Sequence, residues 1–471
     1  MSRPTAVKTE SVAACALLLL ACGPAEPAAV LTGPVELVLL HSADLHAQLF
    51  PWRTVVGAAD ARRGLGESGE LAEVGGFARL GTLSRRERAA AHRLLHLDSG
   101  DLFQGSLAFE RFGPEPALLA FGALGVDAQA LGNHELDHGA EPVESGYGTL
   151  AAFPLLAANY AGEGGKGVRS VVEPFVLLEA EGLRVGVIGV GNARSVALLR
   201  ERPSELGVVA LEAAAAVQGA IDALRTRADV IVALTHLGLD ADEALVRATS
   251  GLDVVLGGHQ HIVLDEPAWV SDCGGESGEG RVRDAWGRER LCTPRRVAIV
   301  HSGAYGKFLG KLTLELTDDP AGGPEYDPLD RHEIAALRFE LLPARADTAE
   351  DGAVAALLEP YRPSELETSG ASSVLGFAPE PVERNGVTGG DSPLGNFAAE
   401  AVRRLAQAEI AVIGASSLRH DLPPGFLDAE TLARVLPFDD ALVRVRLPGT
   451  MLQRAFEHAA RSASARDCRT Q

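Results

Sequence analysis

Residues 128–137 read Ala-Gln-Ala-Leu-Gly-Asn-His-Glu-Leu-Asp. The short apolar run Ala128–Leu131 stops at Gly132 and gives way at once to an amide, an imidazole and two carboxyls. A short run bounded by glycine reads as a buried strand, so this one delivers Asn133, His134 and Asp137 from its carboxyl end. The same construction recurs on both sides. Upstream, Glu36–His41 runs into Ser42-Ala43-Asp44-Leu45-His46, and Leu94–Leu97 runs into Asp98-Ser99-Gly100-Asp101. Downstream, Val230–Thr235 ends at His236, and Val254–Leu256 runs into Gly257-Gly258-His259-Gln260-His261. Further strands are predicted at Leu155–Ala158, Leu183–Val190, Val297–His301 and Lys311–Leu316. Segments of helical composition lie between them at Leu71–His92, Pro114–Leu124, Leu211–Arg227 and Asp240–Thr249. Strands rich in Val, Ile and Leu that alternate with helices predict an α/β fold with sheets buried on both faces. The carboxyl ends of such parallel strands converge on one crevice, so the five polar clusters predict a single site.

The residue types at that site suit divalent cations, because carboxylate, imidazole and amide oxygen together bind hard and borderline ions. One shared carboxylate holds two ions close enough to clamp the attacking and leaving oxygens of a displacement. Asp101 is the expected bridge, since Gly100 beside it lets the backbone approach closely. Asp44, His46 and His261 complete one ion; Asn133, His236 and His259 complete the other. The expected cofactors are therefore two divalent ions of the manganese or zinc kind. A lone histidine after a strand is usually an ordinary core or surface residue, but here five clusters recur in order.

That order, read as DxH, GD, GNHE/D, H and GHxH, resembles the calcineurin-like metallophosphoesterase superfamily, with every position filled. The flanking stretches Leu131–Gly139 (LGNHELDHG), Phe153–Asn159 (FPLLAAN), Thr235–Gly238 (THLG) and Ser302–Lys307 (SGAYGK) look like the 5′-nucleotidase and UDP-sugar hydrolase group. Asp391–Arg403 (DSPLGNFAAEAVR) and Leu432–Asp439 (LARVLPFD) resemble that group's C-terminal substrate-binding domain. The resemblance implies a four-layer α/β/β/α metallophosphoesterase sandwich followed by a C-terminal α/β domain, and hydrolysis of small phosphoesters by metal-activated water. It makes His134 the general acid that protonates the leaving alkoxide. Asp137 would orient that imidazole; the alternative is an ordinary acid near a helix start. Arg419 and Phe438 match substrate-binding positions. The C-terminal pattern departs in places: Gly414-Ala415-Ser416-Ser417 replaces an Asn and Gly residues, and no arginine stands just ahead of Asp391. The chain ends soon after the expected helix Thr450–Arg461, so the last domain reads as incomplete. His41–Phe50 (HSADLHAQLF) and Val74–Leu80 (VGGFARL) also resemble thiosulfohydrolases of sulfur oxidation. A surface protein that keeps the fold without catalysis is a third reading.

Composition narrows the partners. The 43 basic and 64 acidic residues leave a formal charge of −21, which argues against a nucleic-acid polymer, since phosphate contacts need basic surface. A basic start and the apolar run Val12–Ala21 read as an export signal, too short to span a bilayer. Leu19-Leu20-Ala21 before Cys22 resembles a lipoprotein cleavage box, which makes Cys22 a lipid anchor and the membrane contact lipid-mediated only. The expected location is the periplasm or outer membrane of a bacterium. In an oxidising compartment Cys273 and Cys292 are expected to pair as a disulfide; metal ligation by the pair is the alternative, without a CxxC spacing to support it, and Cys468 has no assigned role. The expected organisation is a signal peptide at 1–21, a tether at 22–34 and a metal domain at 35–344. A linker helix at 345–366 and a C-terminal domain at 367–471 complete it, with a Pro/Gly-rich loop at 318–330.

Overall fold

The computed structural model describes residues 34–162, 167–196, 205–274, 280–284, 287–318, 332–362, 374–384, 391–438 and 440–462. The expected signal segment, Cys22, Cys468 and most of the loop at 318–330 lie outside the described residues.

Two sheets face each other. The first runs in the order His332–Pro343, Phe308–Asp318, Val35–Ser42, Leu94–Asp98, Ala128–Ala130, Leu155–Leu156 and Val172–Glu173. From Val35–Ser42 to Val172–Glu173 all neighbours are parallel, whereas the two long strands at the other edge are antiparallel. The second sheet runs through Ala268–Ser271, Arg296–His301, Val254–Gly257, Val230–Thr235, Leu183–Val190 and Phe175–Ala180. Its four central strands are parallel and its two edge strands antiparallel.

Strand periodicity sorts the side chains into layers. Leu37 and Leu39 pack between the sheets with Leu97, Val187, Val232 and Leu256. Val38 and Leu40, one position out of phase, pack outward against Phe77, Leu80, Leu118 and Phe121 of helices Phe77–Ala90 and Glu115–Leu124. On the far side Ile188, Ile231 and Val255 meet Val217, Ile221 and Leu224 of helix Ala213–Leu224 and Leu245 of helix Leu239–Ala248. The result is the α/β/β/α sandwich that the sequence implied. Both faces of the central strands are buried, so their sequences are continuously apolar.

The structure corrects several expectations. Leu71–His92 is not one helix: Leu71–Val74 is a strand paired with Trp52–Val55, and the helix begins at Phe77. Gly75 and Gly76, at φ 69° and 89°, divide the two, and a side chain at Gly76 would strike Pro51. The segment 345–362 is α-helical only from Gly352 to Leu358, with Asp351 as its N-cap, and a 3-10 turn follows at Glu359–Tyr361. Val354 and Leu358 pack in the same core as Leu80 and Phe121, so this helix is part of the metal domain's outer layer. Edge strands Phe175–Ala180, Ala268–Ser271 and His332–Pro343 have no counterpart among the predicted ones.

The C-terminal region builds a smaller core from Leu394, Ala398, Leu418, Leu422 and Val435. It carries helices Pro393–Ala406, Ala429–Val435 and Gly449–Ser462 and the pair Gly376–Ala378 with Gly425–Leu427. Cys273 and Cys292 form the expected disulfide. Closing 19 residues contributes about 3 kcal/mol in the chain-entropy estimate. Among the described residues no helix is long and apolar enough to cross a membrane.

Candidate metal centre

The loops after the parallel strands leave regular structure sharply. Asp44, His46, Asp101, His259 and His261 all have positive φ, between 48° and 82°. That backbone region costs a non-glycine residue on the order of 1–3 kcal/mol, so something must hold it. Part of the restraint is a ladder between two loops: Asp44 N donates to Gly100 O, His46 N to Asp101 O, and Ala47 N to Leu102 O. Gly100 is itself at φ 91°, and a Cβ there would fall 2.6 Å from Gly132 N.

These loops bring the expected ligands into two groups. Asp44, His46 and His261 form one, and Asp101, His236 and His259 the other; within each, one donor atom per residue lies within 4.8 Å of the rest. His46 Nε2 is 3.1 Å from His261 Nε2. In the other group His236 Nε2 is 2.9 Å from Asp101 Oδ2 and 4.0 Å from Asp44 Oδ1, so the two groups adjoin. His236 Nδ1 donates to Ser99 O at 2.7 Å, which turns Nε2 toward the carboxylates. Asp44 accepts the His259 backbone N–H, and Asp101 Oδ1 accepts that of His134 at 2.8 Å.

Electrostatics fit a cation. His46 Nδ1, His259 Nδ1 and Asn133 Oδ1 are buried without a hydrogen-bond partner among the described residues. Orphaned buried polar atoms are costly, and a divalent ion is what such a donor set satisfies. Burial drives His46 and His261 well below the ordinary imidazole value and His259 down to about 3, which keeps them neutral as ligands must be. Burial raises Asp44 to about 8, in spite of the neighbouring His236. Burial also opposes the His236 imidazolium, but Asp101 outweighs it and carries that group up to about 10.

The expected acid stands beside the second group. His134 Nδ1 donates to Asp137 Oδ2 at 2.5 Å, and His134 Nε2 lies 4.0 Å from Asp101 Oδ2. Burial would lower its pKa; Asp101 and the bonded Asp137 prevail and raise it, with Arg419 pulling the other way. Arg419 Nη2 donates to His134 Nε2 at 2.8 Å. The Arg419 guanidinium also lies over the Phe438 ring, 5.3 Å from its centroid. The Phe438 ring is 5.7 Å from that of His134.

Several neighbours were not expected from sequence. Glu135 accepts the backbone N–H groups of Asp101, Leu102 and Phe103; it sits in the quoted motif, but its target is backbone, which leaves no pattern. The Tyr305 ring packs 5.4 Å from His46 and 4.9 Å from His261. His420 inserts between Tyr305 and Trp52, with centroids 4.0 Å and 4.7 Å away. Arg384 donates to Leu418 O at 3.1 Å and its charge depresses His261; it stands seven residues ahead of Asp391, too far to read as part of that motif.

Comparison with known proteins agrees with this geometry. Residues 37–263 match the family model for calcineurin-like phosphoesterases, and residues 370–470 match that for the 5′-nucleotidase C-terminal domain. The chain is 28% identical to a Bos taurus 5′-nucleotidase over 462 residues, covering 90% of this chain and 72% of the relative. A Homo sapiens 5′-nucleotidase is 27% identical, with 94% and 75% covered. Among solved structures, a 5′-nucleotidase precursor from Thermus thermophilus superposes with a TM-score of 0.68 at 26% identity, covering 86% of this chain and 74% of that one. A Thermus thermophilus sulfate thiohydrolase shares the fold, with a TM-score of 0.62 at 20% identity and 84% and 72% covered.

Proposed function

The chain belongs to the 5′-nucleotidase family of calcineurin-like phosphoesterases, and on that premise we propose that it releases phosphate from nucleoside 5′-phosphates or closely related small phosphoesters. The observation that carries this reading is the pair of adjoining groups, each of one carboxylate and two imidazoles, with the His134–Asp137 pair beside them. In this reading Asp44, His46 and His261 hold one divalent ion, and Asn133, His236 and His259 the other, with Asp101 between them. Such a pair supplies activated water and charge stabilisation at the phosphoryl oxygens. With Arg419 turned from the ring to the substrate phosphate, His134 takes a proton at Nε2 and delivers it to the leaving alkoxide, and Asp137 fixes the ring and favours its charged form. Arg419 neutralises phosphate charge, and Phe438 offers its face to the base.

Export with a lipid at Cys22 extends the reading, and the Cys273–Cys292 disulfide is the observation in its favour. The mass of the mature N-terminal peptide tests it: an acylated Cys22 supports it, an uncut leader contradicts it.

The activity is tested by offering purified full-length protein AMP, a UDP-sugar, p-nitrophenyl phosphate and a cysteine thiosulfonate conjugate, each with Mn²⁺ or with chelator. Chelator-sensitive phosphate release from AMP is the expected result. Turnover of the thiosulfonate conjugate alone, or of nothing despite bound metal, contradicts it.

A further inference from the structure

Beneath the two groups runs a chain of hydrogen bonds that none of the roles above uses. His41 is fully buried at the end of strand Val35–Ser42. Its Nδ1 is 2.7 Å from Ser302 Oγ and its Nε2 is 2.9 Å from Ser99 Oγ. Ser99 Oγ in turn donates to Leu256 O at 2.9 Å.

Hydrogen counting gives this chain a direction. A carbonyl only accepts, so the single Ser99 hydroxyl proton is spent on Leu256 O. Ser99 Oγ therefore accepts from His41 Nε2–H. Burial keeps His41 neutral, with His301 and His96 adding to the effect, so its Nδ1 has no proton and accepts from Ser302 Oγ–H. The order is Ser302 to His41 to Ser99 to Leu256, with every donor used. Gly310 leaves the space that Ser302 occupies: a Cβ there would lie 2.1 Å from its Oγ.

The chain ends where the second group begins. Ser99 N donates to Ser42 O, so Ser99 is pinned through its nitrogen and its hydroxyl. Its one remaining polar atom, the carbonyl oxygen, is the acceptor of His236 Nδ1. We infer that His41 is a positioning residue for the group Asp101, His236 and His259: through Ser99 it aims the carbonyl that fixes the His236 tautomer. The inference rests on the dimetal reading.

Titration of Mn²⁺ into chelator-stripped full-length protein, with free Mn²⁺ followed by electron paramagnetic resonance, tests it. The wild-type chain takes up two equivalents. His41→Phe retains one equivalent at nearly its original affinity and weakens the other about 10–100-fold, the usual cost of losing an outer partner of a metal-binding histidine. Ser302→Ala, a milder change that keeps the protein foldable, weakens the same equivalent by a smaller factor. His41→Gln, whose amide N–H reaches toward Ser99, recovers most of the loss. Unchanged uptake in His41→Phe, or in Ser302→Ala should the first variant not fold, overturns the inference. So does equal weakening of both equivalents, the mark of general loosening. A wild-type chain that binds no Mn²⁺ removes the dimetal reading itself, and the inference with it.

Discussion

His134 sits between a carboxylate and a guanidinium, with Asp137 on one ring nitrogen and Arg419 on the other. In the proposed reaction a leaving alkoxide takes the place of the guanidinium at Nε2, while Asp137 already holds the ring. His134→Ala is expected to lower kcat for AMP by about 10²–10⁴-fold and to leave metal content unchanged, checked by steady-state kinetics beside elemental analysis. The neighbouring ligands set a pH dependence. In the metal-free chain Asp44 holds its proton up to about 8 and His236 up to about 10. Both must lose that proton to bind a cation, so protons compete with metal and affinity rises with pH. Mn²⁺ titrations between about pH 6 and pH 8 should show this rise; a flat profile contradicts it. The six carboxylates and imidazoles that gather into the two groups were legible in sequence because each follows an apolar strand and faces the site with its side chain. Ser99 and Glu135 were not legible, because one acts through a backbone carbonyl and the other on backbone N–H groups.

Strands flanked by a layer on each side were the easiest elements to read, because both of their faces are apolar. Leu183–Val190 and Val230–Thr235 have the predicted bounds. Strand His332–Pro343 lies at a sheet edge with about half of its pattern open to water, so its polar content hides it. Leu71–Val74 was hidden differently: its residues suit either structure, and only the Gly75-Gly76 break separates it from the helix. The loops themselves depend on small residues. A Cβ at Gly132 would lie 2.2 Å from Asp101 Oδ1 and 2.6 Å from Glu135 Oε2. Gly132→Ala should therefore displace the carboxylate between the two groups and lower metal content below two per chain, while the far-ultraviolet circular dichroism stays that of the wild type. Full occupancy in that variant would show that the loop yields without cost.

The metal domain and the C-terminal region meet across the site. Arg419 reaches His134, Gln104 donates to Pro437 O at 3.1 Å, and His420 fills the gap between Trp52 and Tyr305. The sequence placed Arg419 and Phe438 in a substrate pocket by resemblance, but the docking itself had no sequence signal, since it pairs residues more than a hundred positions apart. If Phe438 meets the base, Phe438→Ala should raise KM for AMP by about tenfold, as stacking of one base on a ring contributes about 1–3 kcal/mol. Ribose 5-phosphate, which has no base, should be unaffected; an equal change for both substrates would assign the ring a packing role. The central claim is that residues from five separate strand ends hold two cations side by side. Anomalous X-ray scattering from crystals of the full chain grown with Mn²⁺ tests it most directly. The account predicts two adjacent peaks, one among Asp44, His46 and His261 and one among Asp101, His236 and His259. No peak there, or a single ion elsewhere in the molecule, would contradict it.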